Sequence, residues 1–167
     1  MKPEELLFKE RADKLKKIIN LGFNPYPSKY DKKDKLIDIV NEFSKLKNEE
    51  HAKKNVKTAG KIMAIREMGK ASFIDIEDEK GKIQCFISEK ELKKKYDLYK
   101  LFDIGDVIGI EGTVFRTKRG ELSILTKNID ILSKSLKPLP DKWHGLKDVE
   151  EKLRKRYLDL LTNQEVK

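Results

Sequence analysis

From Lys57 to about Ser133 the apolar residues return at every second position, a period that only strands with one buried face produce. Five stretches carry it, at 57–67, 71–77, 82–87, 106–116 and 122–132. Between the third and fourth, Ser88 opens a Ser-x-x-Glu helix start ahead of Leu92, Tyr96 and Tyr99, so a helix interrupts the strands. Three strands, a helix and two further strands is the order of a five-stranded OB-fold β-barrel.

Two helices precede that barrel, so the expected class is mainly β with a helical N-terminal appendage. Across 4–21, Leu7, Leu15, Ile18 and Ile19 fall on one side of a helical wheel, and Gly22 supplies the stop. Pro25 and Pro27 force the next segment to be extended. Leu36, Ile39, Val40, Phe43 and Leu46 then recur at helical spacing, with Asp34 available as a cap. Past the last strand, Leu136-Lys137-Pro138-Leu139-Pro140 is a stiff linker, followed by a charged helical segment at 148–161. The expected organisation is an appendage at 1–54, an OB-fold domain at 55–133 and a linker with a hinge helix at 134–167.

At 167 residues and 38% hydrophobic, the chain can bury one sizeable core. Thirty-eight Lys and Arg against 29 Asp and Glu give a formal charge of +9, a balance that favours polyanionic partners. A proteome that puts lysine on every surface would produce the same excess, so the placement of the charges has to decide. One cysteine, Cys85, rules out an internal disulfide, and His51 and His144 lie too far apart in sequence for metal-ligand spacing, so no metal is expected. No apolar run approaches the roughly 20 residues of a membrane span, and the N-terminus lacks a cleavable-signal pattern. A cytoplasmic protein without a membrane partner is expected.

Alternation places candidate site residues on the outer face. In the second strand Ser72, Ile74 and Ile76 point one way and Phe73 the other; in the third, Ile83, Cys85 and Ile87 leave Lys82, Gln84 and Phe86 outside. OB-folds bind oligonucleotides on that face. Phe73 offers a ring for base stacking, and the Gln84 amide can donate to and accept from a base edge. Alternatively, Phe73 covers the barrel wall or packs under the N-terminal helices. Two loops that flank this face in OB-folds concentrate basic charge: one carries Arg66 and Lys70, the other Arg116, Lys118 and Arg119, and Lys70, Arg116, Lys118 and Arg119 are expected to meet phosphates. Glu121 and Ser123 alternate against Leu122 and Ile124, putting a carboxylate among these cations as a base acceptor or as a rim ion-pair partner. Cys85 falls on the apolar face as a small core residue.

Arg11-Ala12-Asp13-Lys14-Leu15 with Gly22-Phe23-Asn24-Pro25-Tyr26-Pro27 resembles the opening of bacterial-type class II lysyl-tRNA synthetases. The resemblance continues through Ala59–Arg66, Ala71–Asp75, Phe102–Asp106, Arg119–Ser123, Leu136–Pro140, Trp143–Leu146 and Arg156–Leu160, nearly the whole chain. It implies anticodon binding in which Phe73 stacks on a base, Gln84 and Arg66 contact uridines, and Glu121 helps hold the central uridine of the anticodon of tRNA-Lys. Strand one is ambiguous by alternation, so Arg66 rests mainly on the resemblance. The class II catalytic motifs are missing, and Phe115-Arg116-Thr117 is followed by Lys118 where a Phe-Arg-x-Glu loop needs glutamate. No catalytic residue is therefore expected in this chain, which is expected to stop short of the catalytic domain that would use ATP and Mg2+. A homodimer through the complete synthetase is a further implication. Two rival functions are a freestanding single-stranded nucleic-acid-binding module and a dimerisation or docking domain. Leu132-Ser133-Lys134-Ser135 is similar to the end of a class I ATP-binding signature, but no companion motif supports it.

Overall fold

A computed structural model describes residues 2–137 of the chain. Its strands are β1 (His51–Met68), β2 (Ala71–Glu77), β3 (Lys82–Ser88), β4 (Val107–Arg116) and β5 (Leu122–Ser133). They close into a barrel in the order β1-β2-β3-β5-β4, with β3 and β5 parallel and the other neighbours antiparallel. The mainly β class, the five strands and the N-terminal helices are those expected from the sequence. The segment at 148–161 and residues 138–140 of the linker lie outside the described residues.

β1 begins at His51 and not at 57, because its first half is held by pairing with β4 and not by a buried face. Asn55 pairs with Thr113 and His51 with Phe115, while Lys53, Lys54 and Asn55 are all exposed and erase the alternation. The strand then curls from β4 to β2 around Lys61. At this corner Gly60 lies so close to β2 that a Cβ would sit 3.0 Å from the Glu77 carbonyl oxygen.

A β-bulge between Ile62 and Ala64 changes the parity of β1. Before it the even-numbered Val56, Thr58 and Ile62 are buried. After it Ile65 pairs with buried Ile74 and packs against the core, whereas Arg66 pairs with Phe73 and faces out. Inside the barrel Ile62, Ile74, Ile76, Ile87, Ile108 and Ile124 are fully buried. Each such side chain contributes about 1.5–3 kcal/mol through removal of apolar surface from water.

The interrupting helix is broken into α3 (Glu89–Leu92), a 3-10 turn at Lys93–Lys95 and α4 (Tyr96–Tyr99). Its start is the expected one: Ser88 Oγ accepts from the Glu91 backbone N–H at 3.3 Å. The break falls where Lys93 takes a positive φ of 53°.

Of the N-terminal helices, α1 (Pro3–Asn20) buries only Ile18, and α2 (Leu36–Glu42) buries Leu36 and Ile39. The expected Asp34 cap is not made. Asp34 instead accepts from the Lys57 backbone N–H at 2.8 Å, tying the connector to β1. The free N–H of Leu36 goes to Asp78 in the β2–β3 turn at 3.3 Å, so a tertiary contact replaces the local cap. That turn fits under α2 because Gly81 has no side chain: a Cβ there would meet the Ile37 nitrogen at 2.7 Å. Leu46, counted with this helix by its spacing, lies beyond its end.

Where the chain leaves the barrel, the Lys134 side chain is wholly buried and pairs with Asp103 at 2.7 Å and Asp106 at 2.9 Å. Asp103 also takes Lys14 of α1 at 2.6 Å. The motif around Lys134 thus locks the exit strand to the β4 approach and to α1.

Candidate nucleic-acid interface

A groove of about 1030 Å³ runs over the outer face of β2 and β3, between the β1–β2 turn and the β4–β5 hairpin. Arg66, Phe73, Gln84, Glu121, Lys118 and Arg119 all line it, so residues spread in sequence from position 66 to position 121 meet in one place. Strand pairing does the assembly: Arg66 lies opposite Phe73, Asp75 opposite Gln84, and Gln84 opposite Ser123.

Phe73 is half-buried and stands on the outer wall, not under the helices. Its direct cross-strand neighbour is Phe86, with ring centroids 5.3 Å apart and planes tilted by 59°. That pair leaves an aromatic surface facing the groove, the kind of platform on which any base can stack.

Beside it lies a polar chain. Arg66 donates to both oxygens of Asp75, at 3.0 and 2.9 Å, and from Nη2 to Gln84 Oε1 at 3.0 Å. Gln84 Nε2 in turn donates to Ser123 Oγ at 2.9 Å, and Ser123 donates to the Glu121 carbonyl at 3.4 Å. These partners orient the Gln84 amide, leaving one amide N–H and one oxygen lone pair for a ligand.

Electrostatics reinforce the arrangement. Burial pushes the Asp75 carboxyl up, but hydrogen bonding and charge from Arg66, with Lys82 at 3.5 Å behind it, outweigh burial and hold it below the usual carboxylate range. The hydrogen bond to Asp75 raises Arg66 still further above its ordinary value, with Glu121 adding to the effect. Cys85 lies on the opposite, inner face, fully buried, and burial pushes its thiol up, which removes it as a nucleophile.

The basic residues divide. Lys118 and Arg119 are exposed on the hairpin and line the groove. Arg116 also lines it, but its guanidinium is occupied by the carbonyls of Leu46, Gly120 and Ser44 at 2.6, 2.7 and 2.9 Å. Lys70 is exposed and lines a separate hollow with Ser88 and Lys90.

Ser123 keeps the outer-wall position that alternation gives it in β5. It and Ile124 are both fully buried, because Ser123 is covered by its neighbours Gln84 and Phe115 on the outer wall. Asp75, Lys82 and Phe86 belong to the groove or its floor and were not singled out from the sequence. The signal was present for all three, since alternation sets them on the face of Phe73 and Gln84.

Residues 56–132 match the tRNA anti-codon family, described as an OB-fold nucleic acid binding domain. The chain is 44% identical over 99% of its length to a lysine–tRNA ligase of Dehalococcoides mccartyi, and 45% identical over its whole length to one of Carboxydothermus hydrogenoformans. A lysine–tRNA ligase of Staphylococcus aureus is 41% identical over 93% of the chain. The chain spans about a third of the length of these relatives, 34%, 34% and 32% respectively.

Proposed function

With residues 56–132 belonging to the tRNA anti-codon family of OB-fold nucleic acid binding domains, we propose that this chain recognises the anticodon stem-loop of lysine tRNA. The observation that carries the reading is one groove holding a stacking ring, Phe73, beside an oriented amide, Gln84, and an anchored guanidinium, Arg66. The lysine–tRNA ligase relatives support lysine tRNA as the partner.

Phe73 stacks on an anticodon base, which selects no base but supplies affinity. Gln84 and Arg66 contact uridines: a uridine edge offers carbonyl oxygens and one imino N–H, which suits the free amide N–H, the free amide lone pair and the remaining guanidinium donors. Glu121 helps to hold the central uridine by accepting from its imino N–H. Lys118 and Arg119 neutralise phosphates along the groove rim, Arg116 adds its charge from the groove wall, and Lys70 acts at greater remove.

In a complete enzyme of this kind the reaction is ATP-dependent activation of lysine and its transfer to tRNA, in the cytoplasm and as a homodimer. Among the described residues no group of three His, Cys, Asp or Glu side chains could hold a metal ion, and no step with ATP or Mg2+ is assigned to them. Among them, too, no helix is long and apolar enough to cross a membrane.

The test is binding of the chain to a lysine-tRNA anticodon stem-loop and to one with its central uridine replaced, each across a salt series and each repeated with Phe73→Ala. Both changes should weaken binding by about 1–3 kcal/mol, while salt weakens every complex. A response to salt alone would make the chain a generic basic binder.

A further inference from the structure

α1 is an 18-residue helix that places a single side chain, Ile18, in the buried core. Helices of that length in water take most of their stability from tertiary packing, so one buried isoleucine is a slender anchor. The other anchors are polar. Lys14 and Arg11 stand four and seven positions before Ile18, on the same face of the helix, and both are half-buried.

Both cations act on the segment by which the chain leaves β5. Arg11 Nη1 donates to Ser135 Oγ at 3.2 Å, to the Ser135 carbonyl at 3.3 Å and to the Lys137 carbonyl at 3.5 Å. Lys14 works through Asp103, whose two oxygens divide between Lys14 at 2.6 Å and Lys134 at 2.7 Å.

Residues 134–137 belong to no strand or helix, and in such a stretch the backbone groups ordinarily turn to water. Here they are held from three parts of the fold. The Lys134 carbonyl accepts from Tyr26 Oη in the connector at 2.8 Å, and the Ser135 N–H donates to Asp106 ahead of β4 at 2.8 Å. Arg11 of α1 takes the carbonyls of Ser135 and Lys137. Its three bonds share one nitrogen and are long, a hold that can open without breaking the barrel.

We propose that α1 is a latch for this exit segment. Arg11 and Lys14 are positioning residues that fix the direction in which the chain continues past Lys137, and opening of the segment frees the helix in turn. The barrel carries the groove, so a fixed exit gives the groove one orientation relative to the chain that follows. The latch stands apart from the RNA reading, since neither Arg11 nor Lys14 lines the groove.

The experiment compares the 167-residue chain with Arg11→Ala and with the double variant Arg11→Ala, Lys14→Met. Amide hydrogen exchange is followed in α1, in residues 134–137 and in the five strands. Trp143, the one tryptophan of the chain and six positions past Lys137, reports on the continuing chain through its fluorescence anisotropy decay. Exchange in α1 and in residues 134–137 should quicken together by about tenfold or more, the range of one lost hydrogen bond to a charged donor, while the strands keep their rates. Trp143 should gain a fast anisotropy component. A melting curve confirms that each variant is folded; should Arg11→Ala not be, Arg11→Met, which keeps an apolar stem, takes its place. Unchanged exchange overturns the latch. Faster exchange in residues 134–137 with α1 unchanged overturns the coupling of helix and exit, and an unchanged Trp143 decay overturns the fixed direction.

Discussion

Asp75 holds Arg66 in a two-armed ion pair at 2.9 and 3.0 Å, and the same guanidinium reaches Gln84 at 3.0 Å. The free protein therefore keeps its reading arginine anchored in the groove and saturates part of its charge. Anchoring lowers the entropy lost when RNA binds, whereas saturation weakens non-specific attraction to phosphates. Asp75→Asn separates the two effects. It should raise affinity for unrelated RNA at low salt and reduce discrimination against a replaced uridine by about 1 kcal/mol, at the lower end of what a base-specific contact contributes. Titrations with cognate and altered stem-loops check both signs.

Acid should destabilise the fold through three carboxylates spread over it. Asp75, Asp78 and Asp103 are all held below the ordinary carboxylate range; in each, burial acts upward and is outweighed by partners, which are Arg66 and Lys82, Lys32 with backbone N–H groups, and Lys134 with Lys14. Groups with depressed folded pKa values contribute stability above their unfolded value of about 3.9, and lose it as pH falls through the folded one. The Tm should thus be nearly flat near neutrality and fall steeply below about pH 4, with a shallower fall in Asp75→Asn. Thermal melts across that range measure it.

Ser123→Ala should injure reading more than folding. The buried hydroxyl is the acceptor that fixes the Gln84 amide, at 2.9 Å. Its loss costs about 1 kcal/mol of stability as one hydrogen bond, and leaves the amide held from one side only, by Arg66 Nη2 at 3.0 Å. Discrimination between uridine and its replacement should drop, while the slope of affinity against salt stays unchanged.

Arg116 and Lys118, two of the three cations of the hairpin, should behave oppositely. Arg116→Ala removes three hydrogen bonds to carbonyls of Leu46, Gly120 and Ser44, and should destabilise the fold by about 1–3 kcal/mol. Lys118→Ala should leave the Tm alone and lower the salt slope by about 0.7, the share of one phosphate contact on a single strand. Melting curves and salt series on both variants test the pair together.

At the barrel exit, Lys134→Met should be the most damaging of the substitutions considered. It leaves Asp106, itself fully buried, without its cation, and loss of one partner from a buried pair costs about 3–5 kcal/mol. Urea unfolding would measure it.

Sequence alone determined the strand count, the outward placement of Phe73 and Gln84, the helix start at Ser88 and the core role of Cys85. Each follows from local periodicity or local hydrogen bonding, which a chain carries within a few residues. The first half of β1 was hidden because it pairs with β4 far along the chain, His51 with Phe115 and Asn55 with Thr113, and no buried face marks it. The α2 cap was misplaced for a related reason: Asp34 is near in sequence, but Asp78 is near in space.

Arg66 shows the division most clearly. Counted along an unbroken strand from buried Ile62, position 66 falls on the inner face. One extra residue at the bulge between Ile62 and Ala64 reverses the parity and turns the guanidinium outward to Asp75 and Gln84. A side-chain pattern of period two determines which residues share a face, but an inserted residue leaves no local mark in that pattern. Only pairing with β2, which sets Ile65 against Ile74 and Arg66 against Phe73, decided which face that was.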